Sequence, residues 1–189
     1  VLANCHVNVL QTQDHPQFKT YGEELKWLTT DKTRMTWVAN TIKDISTSGN
    51  TLILVDRISA GEILEEKLDN AVFVSGSTKN TERKEQYDEV STSQNKIIIA
   101  TYGVASVGIN IPRIFNLVLI EPGKSFVRVI QSIGRGIRKA EDKDSVQIWD
   151  ITSSCKFAKR HLGARKKFYK EANYPYKIEK IDYENPYSG

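Results

Sequence analysis

Residues 126–138 read FVRVIQSIGRGIR, and this stretch combines a helical apolar repeat with a polar and basic face. The apolar residues recur at i, i+3, i+4 and i+7, which predicts a helix with a buried stripe formed by Phe126, Val129, Ile130 and Ile133. Gln131, Arg135 and Arg138 point away from that stripe. Neighbouring guanidinium groups repel each other unless an anion lies between them, and the planar Arg fork suits phosphate oxygens. The stretch therefore predicts a phosphate clamp, with a solvated basic helix end as the alternative.

Outward from this helix, apolar runs typical of buried strands alternate with helical patterns. The strand-like runs are residues 51–55, 71–74, 96–100, 116–120 and 145–151, and a shorter one lies at 7–10. Such alternation predicts right-handed crossovers and an open, mostly parallel α/β sheet with helices on both faces. Ligands bind beyond the carboxyl ends of the strands in such sheets. The loops expected at that edge begin at Asp56, Ser75, Thr101 and Glu121.

Local signals also mark helix starts, a loop and a C-terminal helix. Asp31 is expected to cap one helix, and residues 59–62 (SAGE) have the spacing of a capping box. Residues 11–21 are polar and are predicted to form a loop. Residues 154–172 are predicted to form an amphipathic helix with Arg165 inside its apolar arc, so we expect that guanidinium group to be hydrogen-bonded. A short edge strand is expected to follow, over residues 177–183.

The positive charge of the chain is concentrated at its C-terminal end. The 189 residues carry a net charge of +4, from 27 Lys and Arg against 23 Asp and Glu. Residues 153–189 hold nine basic and four acidic residues, a net +5, which leaves 18 against 19 in residues 1–152, a net −1. This asymmetry favours a nucleic-acid partner. We divide the chain into an N-terminal segment (1–30), a central domain (31–152) and a basic C-terminal extension (153–189).

The sequence lacks the signals of several other classes of protein. No apolar run approaches the length of a membrane span, so we expect no membrane partner. Cys5 and Cys155 stand far apart, without the spacing of zinc ligands, which indicates a reducing, cytoplasmic location and no metal site in this chain. Because the chain begins with Val1 rather than Met, we expect it to be a piece of a longer protein.

Signatures of nucleotide binding are only partly present. Residues 101–112 form a polar loop with Gly103 and Gly108, which can bind phosphate through N–H groups or can be a plain strand-to-helix turn. Residues 123–125 (GKS) resemble the end of a P-loop, but Val118 stands where a P-loop requires its first glycine. An acidic pair for Mg²⁺ and the G-x-G-x-x-G of dinucleotide-binding domains are also absent. The chain thus has a phosphate clamp without the lysine and metal half of a nucleotide site.

Taken together, these motifs resemble the second RecA-like domain of superfamily 2 helicases over residues 50–152. Residues 51–57 are similar to motif IV of that family, and residues 76–83 are similar to the nucleic-acid-contacting segment that follows it. Residues 101–112 resemble motif V, and residues 131–138 fit the Q-x-x-G-R-x-x-R pattern of motif VI. Four motifs in this order on an alternating α/β pattern imply a RecA-like fold.

The resemblance implies roles for individual residues. Arg135 and Arg138 would act as arginine fingers on the γ-phosphate of ATP. The implied nucleotide-binding residues are Gly108, Asn110 and Gln131, and the implied nucleic-acid-binding residues are Arg57, Gly76, Arg83 and Thr101. ATP and Mg²⁺ would be held mainly by an N-terminal RecA-like domain of the same protein, so the isolated chain is expected to be inactive as an ATPase.

The resemblance also implies a reaction and a substrate. Opening and closing of two domains around ATP would move the protein along a strand by alternating grips on its backbone. Asn110, Ser132 and Ile137 depart from residues common in related helicases, and the last two favour the DNA-translocating branches. The whole chain resembles members that act on branched DNA, which implies roles in recombination, repair, branch migration, fork regression and removal of RNA–DNA hybrids. The alternative is a non-enzymatic nucleic-acid-binding module that uses the basic, aromatic C-terminal extension.

Overall fold

The computed structural model describes residues 5–76, 78–92, 94–108, 111, 113–123, 126–136 and 145–184, and only the backbone of residues 91, 92 and 134–136. The strands in this part of the chain are β1 Cys5–Thr12, β2 Thr51–Val55, β3 Ala71–Val74, β4 Ile97–Thr101, β5 Asn116–Ile120, β6 Val146–Ser153 and β7 Tyr176–Ile181. The helices are α1 Tyr21–Thr30, α2 Lys32–Ser46, α3 Ile58–Lys67, α4 Asn80–Thr92, α5 Tyr102–Ser106, α6 Phe126–Gly136 and α7 Lys156–Glu171. Within the described ranges, every helix is too short or too polar to span a membrane.

The described strands form one seven-stranded sheet in the order β3-β4-β2-β5-β6-β1-β7. Every neighbouring pair in it is parallel. The open, parallel, RecA-like sheet predicted from the sequence is therefore confirmed, and β7 is the predicted edge strand. The chain reaches this order by crossovers, so the first strand lies between the last two.

Two apolar clusters cover the opposite faces of the sheet. Alternate residues of the central strands point to each face, as the period of a strand requires. On one face they pack against α5, α6 and α7, and on the other they pack against α2 and α3. The predicted stripe of α6 is buried at all four positions, Phe126, Val129, Ile130 and Ile133. The prediction of helices on both faces of the sheet is thus confirmed. Because the apolar stripe of α6 is buried, the opposite side of that helix faces away from the sheet.

The N-terminal segment and the C-terminal extension are joined through β1. This strand pairs with β6 on one side and with β7 on the other. The buried carboxylate of Glu24 in α1 accepts the N–H groups of Phe157 and Ala158 at 2.9 and 2.8 Å. The side chain of Cys155, the N-cap residue of α7, accepts no hydrogen bond from the first turn of that helix. Glu24 in α1 therefore supplies the acceptor that the first N–H groups of α7 need. The boundaries at residues 30 and 152 stay a proposal about chain organisation.

Three local predictions can be compared with these elements. The side chain of Asp31 accepts the N–H of Arg34 at 3.0 Å, which confirms the predicted cap of α2. The prediction of a capping box at residues 59–62 is wrong. The helix α3 already begins at Ile58, and its N-cap residue Arg57 makes no side-chain cap hydrogen bond. The loop predicted for residues 11–21 is too long at both ends, since β1 continues to Thr12 and α1 starts at Tyr21.

A fully buried arginine ties α2 to three strands. The Arg34 guanidinium donates to the Thr12 hydroxyl at 3.1 Å, to the Leu28 carbonyl at 2.6 Å and to the Thr152 carbonyl at 3.2 Å. It also forms an ion pair with Glu121 at the carboxyl end of β5. Because a buried charge without partners is strongly unfavourable, this network fixes how α2 and the start of the chain sit on the sheet.

Glu121→Gln is expected to change the pH dependence of stability. Burial raises the pKa of the Glu121 carboxyl from 4.5 to about 7, against the opposing effect of Arg34. Between these values the folded state keeps a proton that the unfolded state has lost, so this carboxyl's stabilising contribution falls as pH rises through that window. The slope is at most about 1.4 kcal/mol per pH unit.

Urea unfolding of both proteins at a series of pH values measures this effect. The unaltered chain should lose stability relative to the Gln variant as pH rises from about 5 to about 7. Glu62→Gln, at an exposed position of α3, is the matched control. The difference in stability between this variant and the unaltered chain should not change with pH over the same range. A difference between the unaltered chain and Glu121→Gln that stays constant across this range would contradict the prediction.

Candidate nucleic-acid and nucleotide site

Three of the predicted nucleic-acid-binding residues follow adjacent strands at one edge of the sheet. The strands β3, β4 and β2 are neighbours, and their register aligns Val55 with Thr101 across β2 and β4. Arg57 follows the end of β2, Gly76 follows the end of β3, and Thr101 is the last residue of β4. Since all carboxyl ends of parallel strands meet at the same edge, the fold brings these residues together.

Arg83 braces the loop that contains Gly76. Its guanidinium donates to the Ser75 carbonyl at 2.9 Å and to the Gly76 carbonyl at 3.1 Å, from the first turn of α4. Gly76 itself is exposed, and no atom lies within 4 Å of the position a Cβ would occupy. The backbone at Gly76 is therefore open to a ligand, while Arg83 holds that backbone in place.

Thr101 and Arg57 offer a hydroxyl and a cation at the ends of β4 and β2. The Thr101 oxygen accepts the N–H of Val104 at 3.2 Å and so caps α5, which leaves its hydroxyl hydrogen as a donor. The Arg57 side chain is 39% exposed and lies 4.0 Å from the Asp56 carboxylate. Its guanidinium also donates to the Gly22 carbonyl over 3.4 Å. Both groups have the chemistry to bind a phosphate of a nucleic-acid backbone.

Two of the residues assigned to the nucleotide, Gln131 and Gly108, lie on α6 and after α5. The Ser132 hydroxyl donates to the Ser106 carbonyl at 3.1 Å and thereby joins the two helices. Gly108 follows α5 with a φ of +107°, a conformation that L residues with side chains rarely adopt. Gln131 is exposed on the outer side of α6. This contact joins the residue after Gln131 to the last residue of α5, two positions before Gly108.

Of the two arginines of the predicted clamp, only the backbone of Arg135 belongs to the described part of the chain. The backbone of Arg135 belongs to the last turn of α6, four residues after Gln131, which is the spacing of neighbours on one helix face. The side chain of Arg135 lies outside the described residues, as do Arg138 and Asn110. Their assignments stay predictions from the sequence.

Sequence reasoning missed one aromatic residue at the same edge, Tyr21. Its ring lies 4.9 Å from that of His161 and 6.3 Å from that of Phe157, centroid to centroid. Burial, together with the nearby Asp56 carboxylate, raises the pKa of its hydroxyl. A signal was present, because Thr20 accepts the N–H of Glu23 at 3.2 Å, in the T-x-x-E spacing of a capping box.

Comparison with known proteins identifies what this arrangement is similar to. The model of the family described as helicase conserved C-terminal domain matches residues 33–140. The ATP-dependent DNA helicase uvsW of Enterobacteria phage T4 is 30% identical over 155 residues, which is 79% of this chain and 31% of the relative. The chain therefore spans about a third of the length of that curated relative.

Solved structures agree with the fold. The crystal structure of T4 UvsW superposes with a TM-score of 0.80 at 21% identity, covering 95% of this chain and 42% of that one. The Escherichia coli DEAD-box protein SrmB superposes with a TM-score of 0.65 at 17% identity, covering 98% and 96% of the two chains. At such identities the likeness establishes the architecture of the sheet and helices.

Proposed function

Because this chain belongs to the family of the helicase conserved C-terminal domain, we propose that it is the second motor domain of an ATP-dependent DNA helicase or translocase. In this proposal the preceding RecA-like domain of the same protein holds ATP and Mg²⁺. The present chain closes on the triphosphate with Arg135 and Arg138 and grips the nucleic-acid backbone at the carboxyl edge of its sheet.

The observation that carries the nucleotide half is the orientation of α6. Its four apolar residues are buried, and Gln131 is exposed on the opposite side. A helix held in this way presents Gln131 and the position of Arg135 to a neighbouring domain. Guanidinium groups that approach a γ-phosphate stabilise the charge that develops during phosphoryl transfer. Gly108 supports this half, because its open backbone lies beside the same helix pair.

The adjacency of three loops supports the nucleic-acid half. Arg57, Gly76 and Thr101 follow neighbouring strands, and Arg83 steadies the Gly76 loop. Groups of this kind bind phosphates and sugars, and such contacts do not read the base sequence directly. The protein would therefore select its substrate by structure.

We assign DNA as the substrate, with branched DNA and RNA–DNA hybrids as the preferred forms. The similarity to a phage protein named as an ATP-dependent DNA helicase supports DNA. Ser132 and Ile137 support the same choice, since they depart from the motif of related RNA helicases. Processing of such structures in the cytoplasm would serve recombination, repair and replication-fork or R-loop processing.

ATP hydrolysis by the isolated chain tests the division of labour between the two domains. The pure chain should hydrolyse ATP at the rate of buffer alone, even with saturating DNA, because it carries no P-loop lysine and no Mg²⁺-binding acidic pair. The protein that joins it to a P-loop domain should hydrolyse ATP and unwind forked or four-way DNA. Robust turnover by the chain alone would refute the assignment.

The second candidate function is a nucleic-acid-binding module without enzymatic activity. The exposed lysines along α7 favour it. ATP hydrolysis by the two-domain protein distinguishes the two functions. A binding module would bind DNA, but the rate of hydrolysis would not depend on Arg138.

A further inference from the structure

We propose that the first two turns of α7, together with Tyr21, form an additional phosphate-binding surface for a single strand of nucleic acid. Its cations are Lys156 and Arg160, and it continues the grip at Arg57. The inference rests on the proposed function, because it extends the same nucleic-acid path to a part of the chain that no helicase motif covers.

An aromatic ring holds the two cations in place. The Lys156 ammonium lies 5.4 Å from the centroid of the Phe157 ring, and the Arg160 guanidinium carbon lies 5.5 Å from it. Both cations are on exposed residues, whereas Phe157 is half-buried. Neither cation forms an ion pair with a carboxylate of the described residues. Cations that are ordered by a ring and lack an acidic partner are prepared for an external anion.

Contacts across Tyr21 connect this surface to the loop after β2. Tyr21 packs against Phe157, and the next residue, Gly22, accepts a hydrogen bond from Arg57. The Tyr21 hydroxyl also lies against Gly123 in the loop after β5, where an added Cβ would come within 2.9 Å of it. A path of contacts therefore runs along the carboxyl edge of the sheet from Arg57 to Arg160.

The stability of α7 does not explain why its first turns carry exposed cations. The first turn of the helix contains no acidic residue and begins with Lys156. Cations are disfavoured at the positive end of a helix, where acidic residues are the stabilising choice. Stability is better served there by the buried Glu24, which caps the helix from α1. Because Glu24 already accepts the N–H groups of the first turn, the exposed cations, and not the helix dipole, attract anions at this surface.

A nucleic-acid strand is the occupant that these features fit. The surface adjoins Arg57, which the proposed function already assigns to the backbone of nucleic acid. Tyr21 is 36% exposed and offers an aromatic face beside the cations, as single-strand-binding surfaces do. An acidic polypeptide would match the charge but would have no use for the aromatic face.

Binding of this chain to fluorescent oligothymidine of about 20 nucleotides tests the inference, measured by anisotropy over a range of salt concentrations. The double variant Lys156→Ala, Arg160→Ala should bind about tenfold more weakly at low salt, and its slope of log affinity against log salt should be shallower by about 1.4. The matched control is Lys32→Ala, Lys43→Ala, which removes the same charge from exposed sites on α2, a helix on the opposite face of the sheet from α7. The control should bind like the unaltered chain. Deleting residues 153–189 is unsuitable, because Leu162 and Tyr169 belong to the main core.

Several outcomes would overturn the inference: no binding of oligothymidine by the unaltered chain, equal losses in the two double variants, or displacement of the strand by polyglutamate as effective as by unlabelled DNA. Thermal unfolding midpoints equal to that of the unaltered chain establish that both variants are folded. If Arg57→Ala weakens binding of the strand and the α7 double variant binds like the unaltered chain, the added surface is removed and the proposed function stays intact. Robust ATP hydrolysis by this chain alone would instead remove the motor assignment, while the oligothymidine result would still decide on the surface.

Discussion

If the proposed function holds, Arg138→Ala is expected to lower DNA-stimulated ATP hydrolysis by roughly 10³-fold or more in a protein that joins this chain to a P-loop domain. The guanidinium group would meet the charge that spreads over the γ-phosphate oxygens in the transition state, in a site from which domain closure excludes water. The loss should appear in kcat, with DNA affinity retained, because the group acts on the transferring phosphate. A steady-state ATPase assay with saturating DNA measures it.

Two further variants make this experiment specific. Arg128→Ala removes the same group from an exposed site in the first turn of α6, ten residues earlier in the chain, and should leave turnover near that of the unaltered protein. Arg138→Lys keeps the charge but loses the planar fork, so it should recover only part of the activity. Unchanged turnover in Arg138→Ala would remove this residue from the catalytic role, and an equal loss in Arg128→Ala would indicate a general effect of charge.

Arg165→Met is expected to destabilise the fold by about 3–5 kcal/mol, the cost of leaving one member of a buried ion pair alone. The Arg165 guanidinium donates to the Asp150 carboxylate at 2.7 and 3.0 Å and to the Pro122 carbonyl at 2.7 Å. The Tyr169 hydroxyl donates to the same carboxylate at 2.7 Å, and burial together with that carboxylate raises the pKa of the phenol. Removing Arg165 leaves a buried charge with only this hydroxyl to solvate it.

The size and source of the effect can be separated by matched variants. In a chain of this length the loss corresponds to a fall of roughly 6–20 °C in the midpoint of thermal unfolding. Lys167→Met, at an exposed site on the same helix, should change the midpoint little. Asp150→Asn combined with Arg165→Met removes both charges and should recover part of the stability. A double variant no more stable than Arg165→Met would show that lost packing, and not the uncompensated charge, is the cause.

The parts of the fold that the sequence predicted are those with a local period. The run at 51–55 is buried at every position, and the stripe of α6 is buried as its spacing required. Arg165 was expected to be bonded because it interrupts an apolar arc, and it is. Each of these inferences needs only the direction in which a side chain points, which helix and strand geometry fix within a few residues.

The sequence proposed which residues form the candidate site, but it could not supply their geometry. Motif order proposed Arg57, Gly76 and Thr101, and the rule for parallel sheets predicted that they lie at one edge. That Arg83 braces the Gly76 loop could not be read from the sequence, because a guanidinium group can equally face solvent. Tyr21 was missed for a similar reason, since its partners Phe157 and His161 lie far away in the chain.

By itself, the sequence determined which faces of the predicted elements are apolar and that a polar and basic helix face follows β5. The tertiary structure alone decided what each face meets: β1 pairs with β6, Glu24 caps α7, and Arg34 and Glu121 share a buried network. These contacts join residues 87–141 positions apart. A local repeat sets how a side chain points, whereas its partner is selected by the packing of the whole chain and by the need to satisfy every buried polar group.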